Sequence, residues 1–593
     1  MCFNIWTWSV LKFDRSNKMI GIFGEYNKSG NTNFSKLQIE NDSSLLINQT
    51  VYGKVSLGRA VLKKYENDKV FFENEDYIVI SDGILLNSDE LKKKYQKETI
   101  AETLIEMFKK IGELFFKDIR GSYSCSIYDK KQDQLFIYTD QLADKKIFYS
   151  NFENQFIFSS KMKDLVVNEN LRTSEIDNES CITLMTLGFM LDDRTLVKNV
   201  KKLEAGSYIK IEENEISIKS YFKFNNDEIY TESIETIISR MDELFRKAVK
   251  LQFDKDIEYH YKHIASLSGG LDSRMVNIVA NDLGYEDILN YTFSQTGYMD
   301  ATIAMDIASD LNHEFIFKSL DDANFLFEID SVAKISFGSS IFYGIAHSYN
   351  CMEKLNLNNY GMVHTGQLGD VVIGSFNKNR VKELDFKNYA YSKRHTKKLD
   401  EIKIREYEND ELFKLYNRGI NFALNGNLAF QEFTESASPF CNVDFMQYCL
   451  NIPVELRKNH SLYYKWIMEK YPNAAKYKYE SINAKITTPK IVIKSKKFTL
   501  KVVNKIFKIL KLPNLYGYNS KNGMNPFDYW YHHNIKLNNF INSYYEKNKS
   551  LLETLDNEVS DMAVDLFENG IMVEKLQVLT LLSTLKLKGE DHE

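Results

Sequence analysis

The sequence lacks several signals that would fix its class at once. Its six cysteines, at 2, 125, 181, 351, 441 and 449, include no CxxC pair, which speaks against a disulfide framework or a zinc site of the usual spacing. No apolar run reaches the ~20 residues of a membrane span. The first eighteen residues have no basic start and no small-residue cleavage site, so they do not read as a signal peptide. A net charge of -6 gives no global attraction to nucleic acid. A cytoplasmic protein with no nucleic-acid partner is expected. The 44% hydrophobic and 13% aromatic content is ample for packed cores, and at about 150 residues per domain the chain should hold two to four of them.

From Ile20 to about Phe224 the chain reads mainly as short strands, among them "MIGIFGEY", "DYIVISDGILL" and "SYSCSIYD". One helix is expected near 98–115, with Leu104, Met107, Phe108 and Ile111 on one face. The polar stretch 212–232 reads as a linker. The rhythm then changes to strand and helix in alternation: a helix near 233–252, the strand "YHYKHIASLS", a helix ended by Gly284, the strand "ILNYTFS", a helix over "MDATIAMDIASDLN" and the strands "EFIFKSL" and "YGMVHTG". Such alternation predicts a parallel, doubly wound sheet that binds ligands at the carboxyl ends of its strands. From about 380 onward the pattern is mostly helical.

"SLSGGLDSR" at 266–274 is the most informative stretch. Gly269 and Gly270 allow a tight turn and a close approach of backbone N–H groups to an anion. Ser268 and Ser273 add hydroxyls, and the following helix points its positive end at the same place. Asp272 would repel a bare phosphate but suits a site where Mg²⁺ lies between carboxylate and phosphates. The pattern is not a Walker A loop, because no Lys follows the glycines. An ordinary Gly-rich turn is the alternative reading.

SGGLDS resembles the pyrophosphate loop of the ATP pyrophosphatases, in the asparagine synthetase branch. The resemblance implies a second site at "HTGQLGDVVIG", 364–374, where Thr365 and Gly366 match a nucleotide-contacting pair and Asp370 a second metal-binding Asp. It implies ATP and Mg²⁺, a nucleotide contact set of Leu267, Ser268, Gly269, Gly270, Asp272, Ser273, Phe293, Ser294, Thr365 and Gly366, and metal held by Asp272 and Asp370. Glu435 stands four residues before Pro439, where relatives keep a catalytic Glu. Lys485 in "NAKITTP" is the candidate for a late Lys that stabilises developing charge. Gln367, Val371 and Ala437 depart from the family pattern, so neither aspartate nor a β-lactam precursor is supported as substrate.

The first domain resembles the class II glutamine amidotransferase domain of the same enzymes, which implies a four-layer fold of two sheets between helices. Active members begin Met-Cys-Gly-Ile, the Cys becoming a terminal nucleophile. Here "MIGIFG" puts Ile20 at that position, Asp82-Gly83 replaces an Asn-Gly that donates to an oxyanion, and Ile84 replaces a Glu. A carboxylate cannot donate to an oxyanion. Only Arg59 of the glutamine-binding set is kept. Cys2 could act as a terminal nucleophile in principle, but it lies 18 residues ahead of the strand that should position it.

The expected fold is therefore an α+β Ntn-hydrolase-like domain, four-layered, followed by an α/β parallel-sheet domain with a helical C-terminal part. The boundaries read from the sequence are 1–18 for an extension, 19–225 for an inactive amidotransferase-like domain, 226–490 for the synthetase domain and 491–593 for a helical region. The expected activity is an ATP-dependent carbon–nitrogen ligase that adenylates a carboxylate and passes it to an amine not taken from glutamine. A peptide macrolactam cyclase of the lasso type and an enzyme using ammonia on aspartate or a surface-polysaccharide sugar acid are the versions of that reading, and an inactive scaffold is the alternative to it. The substrate, small molecule or peptide, would carry a carboxylate and an amine. A leader peptide, a protease partner and a homodimer are the partner expectations. Between Ser481 and Phe527 there is no acidic residue. There "KSKKFTLKVVNKIFKILK" sets Phe498, Val502, Ile506, Ile509 and Leu510 along a stripe with Lys opposite. This reads as a domain helix with a basic solvated face, or as a surface for an acidic peptide, an anionic membrane or a partner protein.

Overall fold

The computed structural model describes residues 20–30, 43–166, 168–375, 386–509 and 523–589. The expected extension, with Cys2, and Met19 and Leu510 lie outside the described residues.

The first domain is built on two six-stranded antiparallel sheets. In one, β1 (Gly21–Asn27) lies between β2 (Val55–Leu62) and the strand Gln155–Ser159. In the other, β3 (Tyr77–Leu85) lies between Phe71–Glu73 and Gly121–Asp129. Alternation sends Ile22 and Leu57 of the first sheet and Ile78, Ile80 and Ile137 of the second into one shared core. Against the outer face of the second sheet pack α1 (Ser88–Tyr95) and α2 (Ile100–Ile111), through Leu91, Leu104 and Met107. Met162 and Leu165 of the short helix Met162–Val166 cover the other sheet. The order helix, sheet, sheet, helix matches the expected four layers.

A capping box starts α2, with Thr99 Oγ1 accepting from Glu102 N at 3.2 Å and Glu102 accepting from Thr99 N at 3.3 Å. Gly112, at φ 74, ends it, and the expected helix continues only as a 3-10 turn to Asp118. The expected linker over 212–232 is corrected in part. Its Glu215–Ser220 is a strand paired with Ser207–Glu212. Its polar composition suits the sheet edge it occupies, with one face and one ladder side open to water.

The second domain opens with α3 (Ile234–Glu258), capped by Ser233. Then come β4 (Lys262–Ser266), α4 (Asp272–Asp282), β5 (Ile288–Ser294), α5 (Met299–Asp310), β6 (Glu314–Ser319), β7 (Tyr360–His364) and β8 (Ser436–Ala437). All pairings are parallel, in the order β6-β5-β4-β7-β8. The chain winds outward from β4 in one direction, then returns to its other side with β7. The switch point therefore falls between β4 and β7, where open α/β sheets hold ligands. A helix further on, α6 (Lys490–Ile509), follows the sheet. The last, α7 (Met572–Gly589), is buried on nearly all sides. It shares one core with Leu184 and Met185 of the first half and Ile264 and Leu289 of the parallel sheet.

A short segment after β2 fastens the two domains. Lys64 Nζ donates to the Leu357 carbonyl at 2.6 Å, the Tyr65 hydroxyl to Asp256, and Asp68 pairs with Lys255 at 2.8 Å. Lys69 Nζ reaches Glu435 at 2.8 Å. Asp256 also receives the rings of His263 and His364 at 2.9 and 2.7 Å.

Candidate active site

The loop between β4 and α4 folds on itself through its own hydroxyls. Ser273 Oγ accepts from Ser268 N at 3.0 Å and lies 3.0 Å from Ser268 Oγ, which accepts from Gly270 N at 3.2 Å. Gly269 N donates to Asp300 of α5 at 2.7 Å, so a carboxylate occupies a donor suited to an anion. Burial, and then Glu480, push Asp300 up to about 6. The buried Arg274 braces the loop from below, donating to the carbonyls of Gly269 at 3.1 Å and Ala474 at 3.0 Å.

The loop after β7 lies directly against this one. A Cβ on Gly366 would stand 2.4 Å from Ser273 N, and one on Gly369 would stand 2.5 Å from Asp272 Cγ. Only glycine allows that approach. Asp370 N donates to Asp272 Oδ2 at 3.1 Å, and the Tyr463 hydroxyl to Oδ1 at 2.8 Å. Burial, and then the charge of Asp370, push Asp272 up to about 8. The neighbouring charge that raises the proton affinity of Asp272 is a repulsion that a divalent cation relieves. The pair therefore suits Mg²⁺ on chemical grounds, and the predicted Asp272, Asp370, Ser268, Ser273, Thr365 and Gly366 come together at the switch point. Thr365 N is bound to the Ala437 carbonyl at 2.8 Å.

The other predicted residues are placed less directly. Leu267 packs its side chain on Ile303 and Ile307 of α5. Ser294 is buried and donates to the Gln295 carbonyl at 3.1 Å, while Phe293 stacks on His347, 5.5 Å between centroids. Lys485 stands on the wall of an open cleft of about 1510 Å³ beside the loop. Tyr298, Tyr477, Tyr529 and Trp530 line the same cleft.

Glu435 lies apart from the carboxylate pair, in a buried group of four charges between the domains. Its oxygens take Lys69 at 2.8 Å and Lys145 at 2.9 Å, and Lys145 also binds Asp82 at 2.9 Å. Burial alone would raise the Glu435 pKa, but Lys145 and Lys69 outweigh it and hold it at about 2. That pairing makes Glu435 a weaker base than a free carboxylate. The site around Ile20 is filled by the same group. Its cavity is about 10 Å³, lined by Ile20, Asp82, Lys145, Lys146 and Lys161, no more than one water's room. Arg59, expected to bind glutamine, is committed to Asn48 at 3.0 Å and to the Lys69 carbonyl.

Sequence reasoning missed Asp300, Tyr463, Lys69 and Lys145. Asp300 opens α5 in "YMDATIAMD", a position that could have been singled out; the others carry no local signal.

With this geometry in hand, the comparisons are specific. Residues 45–222 match the family model of a glutamine amidotransferase domain. Asparagine synthetase 1 (glutamine-hydrolyzing) of Bacillus subtilis is 26% identical over 271 residues, 44% of this chain and 42% of that protein. The chain resembles the asparagine synthetases. A Methanocaldococcus jannaschii protein assigned as glutamine-hydrolyzing asparagine synthetase 2 is 26% identical over 329 residues, 52% of this chain and 62% of that protein. The chain thus spans less than two thirds of either relative's length. Among solved structures, glutamine phosphoribosylpyrophosphate amidotransferase from B. subtilis, complexed with ADP and GMP, is 10% identical. It covers 52% of this chain and 86% of its own at a TM-score of 0.25, an overlap too slight to define the fold.

Proposed function

We propose that this protein is an ATP-dependent ligase that activates a carboxylate and joins it to an amine not drawn from glutamine. The observation that carries the reading is the meeting of Asp272 and Asp370 across the β4–β7 switch point, with Gly366 and Gly369 clearing the space. In this reading the N–H groups of Gly269 and Gly270 and the hydroxyls of Ser268 and Ser273 hold the pyrophosphate portion of ATP. Asp272 and Asp370 hold Mg²⁺, which when bound neutralises charge on the phosphates. Asp300 must yield the Gly269 N–H, and Ser268 Oγ the Gly270 N–H, to a phosphate. Lys485, on the cleft wall, faces the developing charge. Glu435 takes a proton from the amine only if its pairing with Lys69 and Lys145 opens.

The filled cavity under Ile20 and the committed Arg59 support an amine source other than glutamine. The cleft exceeds the roughly 300–1,000 Å³ of usual small-ligand sites, which favours a peptide that closes on its own amine. Amidation of a sugar acid with ammonia is the second reading, and an inactive scaffold the third. ATP–pyrophosphate exchange separates them. Exchange stimulated by a peptide supports the cyclase, and exchange stimulated by a sugar acid supports the second reading. No exchange with any carboxylate, together with no ATP binding, leaves the scaffold.

A further inference from the structure

The basic helix α6 does not turn its apolar stripe inward. At 100° per residue, Ile491, Phe498, Val502 and Ile509 fall within about 40° of one another. All four are open to solvent, at 80%, 69%, 41% and 72% exposure. Leu500, on the opposite side of the helix, lines the large cleft, so that side faces the protein. Of the two readings of this helix, a basic solvated face alone does not describe it: its outermost ridge is apolar, with Lys494 and Lys505 along the flank. Lys494 and Lys505, both exposed, lie beside the ridge. The helix carries seven lysines and no acidic residue, in a chain whose net charge is -6.

Large aliphatic and aromatic side chains in a row on an outer ridge call for a partner. The concentrated positive charge says that the partner is anionic. The shape decides which kind. A convex apolar ridge with Lys494 and Lys505 beside it suits a soft, planar surface, where the apolar tips sink below the charge and the ammonium groups stay level with it. We propose that α6 docks this protein on an anionic lipid surface. Phe498, Ile491 and Ile509 enter the boundary between headgroups and acyl chains, and the lysines pair with lipid phosphates. The proposal does not depend on the ligase reading.

Sedimentation of the full chain with vesicles tests it. Vesicles of equal parts phosphatidylcholine and phosphatidylglycerol should carry the protein down, and phosphatidylcholine alone should not. Salt at about 0.5 M should weaken binding severalfold. Phe498→Ser with Ile509→Ser changes only exposed side chains and should leave the melting temperature unchanged while lowering affinity at least about tenfold. Lys494→Gln with Lys505→Gln should lower it about twentyfold. No binding to the phosphatidylglycerol vesicles at low salt overturns the proposal, as does binding that neither variant weakens. A polyglutamate peptide that binds where vesicles do not would replace the lipid with an acidic protein. A dimer that the Phe498→Ser, Ile509→Ser variant dissolves into monomers would assign the ridge to a second copy.

Discussion

The two halves of the molecule keep complete sheets and differ in what stands at their candidate sites. In the parallel sheet, β4 and β7 end in glycine-rich loops that set the Asp272 carboxylate against the backbone of Gly369 and Asp370. In the stacked sheets, the corresponding place is filled: Ile20 occupies it, Lys145 and Asp82 pair across it, and Arg59 is turned to the backbone. Unbalanced charge in a buried site is costly and persists where a ligand relieves it. Charges balanced among themselves, as in the Lys69, Asp82, Lys145, Glu435 group, need no ligand. By that criterion the parallel-sheet half suits a bound ligand, and the charges of the stacked-sheet half satisfy one another.

The largest effect should come from the unbalanced pair. Asp272→Asn should cut ATP–pyrophosphate exchange by about a hundredfold or more, with the melting temperature held or raised because a half-buried repulsion is removed. An Asp272→Asn protein with full exchange would erase the contrast between the halves. Next comes the balanced group. Glu435→Gln leaves two buried ammonium groups facing one carboxylate and should cost about 3–5 kcal/mol in denaturant unfolding. Adding Lys145→Met should recover part of that loss, since it restores neutrality, and a loss no smaller in the double variant would show that the group is not a unit.

Acid should act on the parallel-sheet half. His347, packed between Phe293 and Phe325, is pushed down to about 4 by burial. The unfolded chain takes up that proton near pH 6.5. Stability is therefore full above that value and falls as pH drops toward 4, by about 3 kcal/mol for this one group. His347→Phe should flatten the slope between pH 6.5 and 4 in unfolding measurements. The smallest expected effect is none at all: Ile20→Cys should not produce glutamine hydrolysis, because the cavity stays closed and Asp82 still cannot donate to an oxyanion. Glutaminase activity in that variant would show that one residue alone had been lost.

Much of this was legible in the sequence. "ILNYTFS" is β5 from end to end, and SGGLDS makes the turn from β4 into α4, closed by its own hydroxyls. These are local signals, a strand of apolar residues and a turn that tolerates close approach. The strand at Glu215–Ser220 was hidden by polar residues, which an edge permits. The fastening segment at 64–69 was unreadable because its partners, Asp256, Lys255 and Glu435, lie far along the chain. The same holds for Glu435: its place before Pro439 pointed to a role in catalysis, while Lys69 and Lys145, supplied by the other domain, decide its charge. For the basic helix the sequence leaves open which face turns outward, because periodicity identifies a stripe but not what covers it.

The central claim is that Asp272 and Asp370 form, with the loop at 268–273, a site for ATP with a divalent cation. Calorimetric titration of the full chain with ATP, repeated across Mg²⁺ concentrations and with Asp370→Asn, tests it most directly. The account predicts ATP binding that tightens with Mg²⁺ in the native chain and loses that dependence in the variant. ATP binding indifferent to both Mg²⁺ and the substitution, or no ATP binding at any Mg²⁺ concentration, would contradict it.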